Sequence, residues 1–287
     1  MDSTYWTDYR PRPDDIVIAS PPKAGTTWTQ RIVSVLVFQS TRLPGVLAEI
    51  SPWLDKRSLP VEQTLSALER QEHRRFIKTH LPADALPLHP EVSYVVVGRD
   101  PRDIVMSQHH HLKGRVASAR AGRSRELPAL TGPDAHTPEL PEIPLDPRAY
   151  WRSYFTRGAF PWETDGWPVM SATRHLETWW AHREASNVLM LHYQDMLRDL
   201  DGQMRRVSEF LGIPVNEAIW PDLVRECTFS EMKGRPGLRP DSEDFEFFHK
   251  GRNRQWEEFV TEEDMDLFRA ALAPLPADLR EWLARSE

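Results

Sequence analysis

Apolar positions along this chain follow two periods that alternate. The run DDIVIAS (14–20) is short, β-branched and bounded by aspartates and prolines, which predicts a buried strand. TTWTQRIVSVLVFQS (26–40) is apolar on nearly all sides and predicts a buried helix with Trp28, Ile32, Val35, Leu36 and Phe38 in the core. RRFIKTH (74–80) predicts a second, shorter strand. SYVVVGRDPRDIVMSQHHHL (93–112) switches from strand to helix at RDPRD. Asp100 suits the N-cap there, Pro101 the first helical position and Asp103 the positive end of the helix dipole. VLMLHYQDM (188–196) repeats strand then turn, and LDGQMRRVSEFLGI (200–213) has helical spacing.

Strands alternating with helices predict an α/β fold: one mainly parallel central sheet flanked by helices, formed by a single domain over 1–287. Ligands in such folds sit at the carboxyl ends of the strands. The segments 20–28, 78–80, 99–107 and 193 all fall at or just after such ends, so they converge on one rim. Residues 115–148 break the pattern: they begin basic and small, then carry six prolines between 128 and 147. That composition predicts a long Pro/Arg-rich loop, either an active-site lid or partly disordered. AFPWETDGWPV (159–169) adds aromatic, turn-rich material to the same stretch.

Composition narrows the function classes. The chain has 287 residues, 40% hydrophobic, with a net charge of −7, which argues against a general nucleic-acid or anionic-membrane binder. Any anionic ligand needs a local basic pocket. One cysteine, Cys227, permits no internal disulfide and argues against a Cys-based zinc site. The amino terminus is polar and no stretch reaches the length of a membrane span, so the expectation is a cytoplasmic protein. Arginine outnumbers lysine 30 to 6, which fits a GC-rich, bacterial coding source and draws attention to Lys23, Lys78 and Lys250.

SPPKAGTTW (20–28) joins the first strand to the first helix and predicts a phosphate cradle. Helix N-terminal amides point outward, Gly25 lets an anion approach them, Lys23 supplies a full charge, and Thr26 and Thr27 supply hydroxyls. The G-x-x-x-x-G-K-[ST] spacing of an ATP-binding loop is absent, and the lysine precedes the glycine by two residues. The loop therefore asks for an anion held by cations and amides, without metal. QHHHL (108–112) invites a metal reading, but adjacent histidines on a helix point in different directions, and one facing an acceptor pocket fits better. Trp179 and Trp180 are expected in the core.

PPKAGTTW resembles the 5′-phosphosulfate loop of the cytosolic-type sulfotransferases, which use 3′-phosphoadenosine 5′-phosphosulfate (PAPS). The similarity continues in order through IKTHLP (77–82), VVGRDPRDIVMS (96–107), HLETWW (175–180), LHYQDM (191–196), CTFSEMK (227–233) and FFHKG (247–251). The resemblance implies that His80 is the general base, that Lys23 stabilises the leaving phosphate oxygen and that Lys78 reaches the sulfuryl group. It implies that Lys23, Ala24, Gly25, Thr26 and Thr27 hold the 5′-phosphate, with Trp28 near the adenine. Arg99 and Ser107 would bind the 3′-phosphate, helped by His249, Lys250 and Gly251. Tyr193, Cys227, Thr228, Phe229 and Met232 would line the adenine side.

Departures from the family pattern are local. His249 stands where the family has arginine, RNRQW (252–256) replaces its glycine-aspartate-tryptophan, and Arg252 or Arg254 is a candidate for the lost charge. Cys227 replaces a common threonine. No family dimerisation pattern is recognisable in EEFVTEEDMD, so a homodimer has no motif to support it. The expected activity is sulfuryl transfer from PAPS, without metal, to a hydroxyl of a small, rather apolar acceptor such as a phenol, alcohol, sterol-like compound or natural product. A metal-dependent small-molecule kinase using ATP and a non-catalytic nucleotide-binding protein are the alternatives.

Overall fold

The computed structural model describes residues 1–57, 60–120, 142–235, 237–238 and 253–285. Four strands, β1 (Ile16–Ala19), β2 (Phe76–Thr79), β3 (Ser93–Gly98) and β4 (Val188–His192), form one parallel sheet in the order β2-β1-β3-β4. Ala19 pairs with Thr79 and Val96, and Gly98 pairs with His192. The residues that leave the sheet next are Ser20, His80, Arg99 and Tyr193. The four segments singled out above thus lie at or just after the carboxyl ends of the strands, along one rim of the sheet.

Both sheet faces are covered, as parallel strands require. Helices α1 (Thr26–Phe38), α2 (Leu47–Ile50) and α3 (Val61–Glu69) precede α4 (Pro101–Arg120), α5 (Pro147–Thr156) and α6 (Ala172–Trp180). Then come α7 (Tyr193–Arg198), α8 (Leu200–Phe210), α9 (Trp220–Glu226), α10 (Phe229–Gly234), α11 (Glu262–Leu272) and α12 (Ala277–Leu283). Ile16 and Ile18 pack with α1 residues Ile32, Val35 and Leu36 and with Met204 and Val207 of α8. Val17 and Ala19 point the other way, into a cluster with Trp6, Leu54, Ile77 and Trp179. A third cluster joins α4, α5, α11 and α12 through Val105, Tyr150, Trp151, Phe268 and Trp282. The last residue of β3, Gly98, has no room for a side chain, because a Cβ there would clash with the Trp282 ring.

Three sequence expectations need correction. Trp28 and Phe38 pack against the core cluster but stay partly buried, whereas Ile32, Val35 and Leu36 are fully inside. Trp180 is likewise only partly buried, its indole N–H reaching Asp278 at 3.0 Å, while Trp179 is core. Residues 115–120 are not loop: α4 continues to Arg120, because Val116 still packs against the third cluster and the good helix formers Arg115, Ala117, Ala119 and Arg120 surround it in sequence. Residues 147 and 148 also leave the expected loop, since Asp146 caps α5 by accepting from the Ala149 amide and Pro147 takes its first position. Residues 121–141 lie outside the described residues. Among the described residues no helix is long and apolar enough to cross a membrane.

Candidate active site

The turn after β1 is shaped by two left-handed residues, Lys23 at φ 72° and Gly25 at φ 113°. Gly25 is the N-cap of α1, so the first-turn amides of that helix point out of the turn with no intrahelical partner. Ser20 and Thr26 share a hydroxyl–hydroxyl bond of 2.5 Å, which ties the strand end to the helix start. A Cβ on Gly25 would approach Tyr193 Cδ2 to 2.9 Å. Glycine is therefore needed both for its conformation and for the closeness of that ring. Ala24 is buried against Ile104 of α4 and Ala172 of α6, so two helices pack against the cradle.

His80 follows β2, 5% exposed, with Nδ1 2.7 Å from the Ser20 carbonyl oxygen. A carbonyl only accepts, so Nδ1 carries the proton and Nε2 keeps its lone pair. Burial first, then the charge of Lys78, pushes the imidazole well below the ordinary histidine value, against the pull of the Ser20 carbonyl. His175 and Lys23 act on the ring in the same lowering sense. His80 is thus a neutral base with a defined tautomer, set among cationic groups.

Trp53 was not anticipated from sequence and ties two of these groups together. Its ring meets His80 edge-on at 4.9 Å, and Lys78 Nζ sits 4.4 Å from its centroid. Its indole N–H donates to Asp55 Oδ2 at 2.8 Å, and Trp6 donates to Asp55 Oδ1 at 3.3 Å. Burial pushes the Asp55 carboxyl up, while hydrogen bonds from the Thr79, Trp53 and Trp6 side chains oppose this. The signal was short and unperiodic: PWLD sits in a turn-rich stretch distant in sequence from every family-like motif.

Arg99, 5% exposed, lies between the cradle and Tyr193. It donates to the Lys23 carbonyl at 3.2 Å and its guanidinium stacks 4.2 Å from the Tyr193 ring centroid. Asn253 Oδ1 accepts from Arg99 Nε and Nη2 at 3.2 and 2.8 Å, and Asn253 in turn donates to Gln194 at 2.6 Å. Trp28 meets Tyr193 edge-on at 5.2 Å and donates to the Cys227 carbonyl at 2.7 Å. Lys23, Gly25, Trp28, Arg99 and Tyr193 are therefore brought together.

The remaining expected residues stand differently. The Cys227 thiol is buried and pushed up to about 12, so its share in this corner is its carbonyl. Met232 is core, packed with Tyr193 and Cys227, and Phe229 opens α10 half-buried. The Thr228 hydroxyl turns back to the Arg225 carbonyl at 2.7 Å. Thr27 lies in the first turn of α1, and Ser107 is half-buried within α4. His249, Lys250, Gly251 and Arg252 lie outside the described residues. Arg254 does not turn toward Arg99: its Nε pairs with Glu257 at 2.6 Å on the surface. Asn253, one position earlier, is the residue that meets Arg99.

The three consecutive histidines diverge, as the helical twist requires. His109 donates through Nε2 to the Pro144 carbonyl at 3.0 Å and stacks on Tyr150 at 4.8 Å. His110 is half-buried, and His111 is near enough to Lys23 and Lys78 for both to lower its basicity.

The chain is similar to known proteins in sequence and in fold. A glycolipid sulfotransferase of Mycobacterium tuberculosis is 34% identical over 300 residues, covering 98% of this chain and 91% of that protein. The luciferin sulfotransferase of Photinus pyralis is 29% identical over 247 residues, covering 77% of this chain and 57% of its own. Similar folds include mouse sulfotransferase SULT7A1 complexed with PAP, with TM-score 0.69, 21% identity and coverage of 98% and 92%. Retinol dehydratase complexed with retinol and PAP gives TM-score 0.67, 22% identity and coverage of 94% and 84%. The model of the sulfotransferase domain matches residues 13–285, and this chain belongs to that family.

Proposed function

We propose that the protein transfers the sulfuryl group of PAPS to an acceptor hydroxyl, with His80 as general base. The observation that carries this reading is the His80 Nδ1–Ser20 carbonyl bond, which leaves Nε2 unprotonated between Lys78 and the Lys23 cradle. The cradle fits a nucleotide phosphate: left-handed Lys23 and Gly25 turn first-turn amides outward, and a Cβ on Gly25 would crowd Tyr193. PAPS supplies an activated sulfuryl group; the rest is positioning and charge stabilisation by this chain.

His80 Nε2 takes the proton of the acceptor hydroxyl. Lys23 neutralises charge on the departing phosphate oxygen, and Lys78, held over Trp53, faces the charge that develops during transfer. Trp53 and Asp55 keep His80 and Lys78 from rotating away. Gly25, Thr26 and Thr27 hold the 5′-phosphate, and Arg99 and Ser107 hold the 3′-phosphate, with His249, Lys250 and Gly251 assigned there by resemblance. Trp28, Tyr193, Phe229 and Met232 take the adenine. The acceptor has an apolar body, and the glycolipid sulfotransferase relative supports a lipid-borne hydroxyl within that class. Incubation with ³⁵S-labelled PAPS, chelator and mixed phenolic and glycosidic acceptors tests this. Labelled organic sulfate is the expected product; phosphate transfer from ATP with Mg²⁺ instead would overturn it.

A further inference from the structure

Two arginines near the start of α4 are held in different ways. Arg102 closes on a carboxylate: its Nε meets both Asp100 oxygens at 3.0 Å. Arg99 is 5% exposed, and among the described residues no carboxylate pairs with it. A buried charge without a counter-ion is costly unless a ligand brings one. The acceptors that Arg99 does have are neutral. Asn253 Oδ1 takes Nε and Nη2 at 3.2 and 2.8 Å, and the Lys23 carbonyl takes Nη1 at 3.2 Å. Three of the five N–H donors are thus taken, which leaves one on Nη1 and one on Nη2. Such a pair is what a phosphate needs for two parallel hydrogen bonds. Asn253 is itself fixed. An arginine only donates, so the atom facing Arg99 is the amide oxygen, and Nδ2 donates to Gln194 Oε1 at 2.6 Å. Gln194 follows Tyr193, whose ring covers the guanidinium face, at the start of α7. The next amide along the chain, that of Arg254, donates to Asp103 Oδ1 at 2.6 Å in the first turn of α4.

We infer that Asn253 is a positioning residue for the donor nucleotide: it grips the Nε and Nη2 edge of Arg99 and leaves the remaining Nη1 and Nη2 hydrogens for the 3′-phosphate. This rests on the sulfuryl-transfer reading and deepens its 3′-phosphate assignment. A neutral amide suits the task. It fixes the fork without spending its charge, so the phosphate brings the first full negative charge that Arg99 bonds. A carboxylate at 253 would answer the guanidinium from within the protein, as Asp100 answers Arg102. It would also repel a phosphate on the same arginine. Alanine there would free the fork to turn, and binding would then bear the cost of ordering it.

The test is calorimetric titration of adenosine 3′,5′-bisphosphate and AMP into wild type, Asn253→Ala and Asn253→Asp. Wild type binds the bisphosphate more tightly than AMP. Asn253→Ala loses about 3–10-fold on the bisphosphate, the worth of one hydrogen bond. Asn253→Asp loses more, about 10–100-fold, the worth of a charge-assisted bond. AMP affinity stays at the wild-type level in both variants, which also reports that the site is folded. A purely structural role would spare Asn253→Asp, which keeps an acceptor for Arg99, or would weaken both nucleotides together. Bisphosphate affinity unchanged in Asn253→Ala, equal losses on the two nucleotides, or an Asn253→Asp no weaker than Asn253→Ala would each overturn the inference and leave sulfuryl transfer standing. A wild type that binds the bisphosphate no better than AMP overturns the 3′-phosphate assignment, and the inference with it.

Discussion

Strands β1 and β2 lie side by side, and their two ends hold charge in opposite ways. Before the strands begin, Asp15 accepts from the Tyr9 hydroxyl at 2.5 Å and from Arg75 Nε at 2.7 Å, with Arg75 Nη2 on its other oxygen. Arg75 also reaches Glu69 at 3.1 Å and the Arg10 carbonyl at 2.8 Å. Asp15 and Arg75 are each 1% exposed, so these are desolvated charges answered on the spot. After the strands end, Lys23, Lys78 and the α1 amides gather positive potential around a histidine that burial keeps neutral. Burial is common to both ends. What separates a structural cluster from a candidate site is whether the charges close on each other or converge in one sign.

That contrast can be broken from either end. The largest effect is expected at the carboxyl ends: His80→Ala lowers turnover by about 10²–10⁴-fold, the range of a lost general base, while bisphosphate affinity stays nearly intact. Steady-state kinetics beside a binding titration separates the two, and wild-type turnover in the variant would remove the base. Asp15→Ala does the reverse. It leaves Arg75 without its main partner and costs about 3–5 kcal/mol of stability, read as a lower denaturant midpoint, with kcat unchanged per folded molecule. A kcat loss as deep as that of His80→Ala would erase the difference between the two ends.

The smallest effect is one of pH. The His80 imidazole lies well below its ordinary value, so its basic form persists as pH falls to 6.5 and is lost only further down. Turnover should therefore stay level from pH 8 to 6.5, whereas a group titrating at about 6.5 would halve the rate there. The same shift makes the unfolded state bind more protons than the folded state below the ordinary histidine value. His175, pushed down to about 3 by burial, and His192, pushed down to about 4, act alike. Each contributes a loss of stability as pH falls from about 6.5 toward its folded value.

The strand ends were readable because their chemistry is local. Lys23, Gly25 and Thr26 must sit in one turn, and His80, Arg99 and Tyr193 each leave a strand that its apolar run marks out. The other wall was not readable for the opposite reason. Trp53 and Asp55 come from a turn-rich segment with no period, and Asn253 meets Arg99 across 154 residues of sequence. The end of α4 is hard to read because its last turns are helical mainly by propensity, with Val116 as the one large apolar side chain that continues the stripe of Val105 and Leu112. The end of the expected loop had a usable sign, since DPRA places an aspartate and a proline where a capped helix starts.

The central claim is a donor site for a doubly phosphorylated adenosine that works without metal. It is tested most directly by calorimetric titration of adenosine 3′,5′-bisphosphate, AMP, ADP and ATP, with and without Mg²⁺, into wild type and Arg99→Ala. The expected result is tight, metal-independent binding of the bisphosphate by wild type. In Arg99→Ala a loss of about 1.5–3 kcal/mol, the worth of a charge-assisted hydrogen bond, falls on the bisphosphate and spares AMP. Preference for ATP with Mg²⁺, or equal losses for the bisphosphate and AMP, would contradict it.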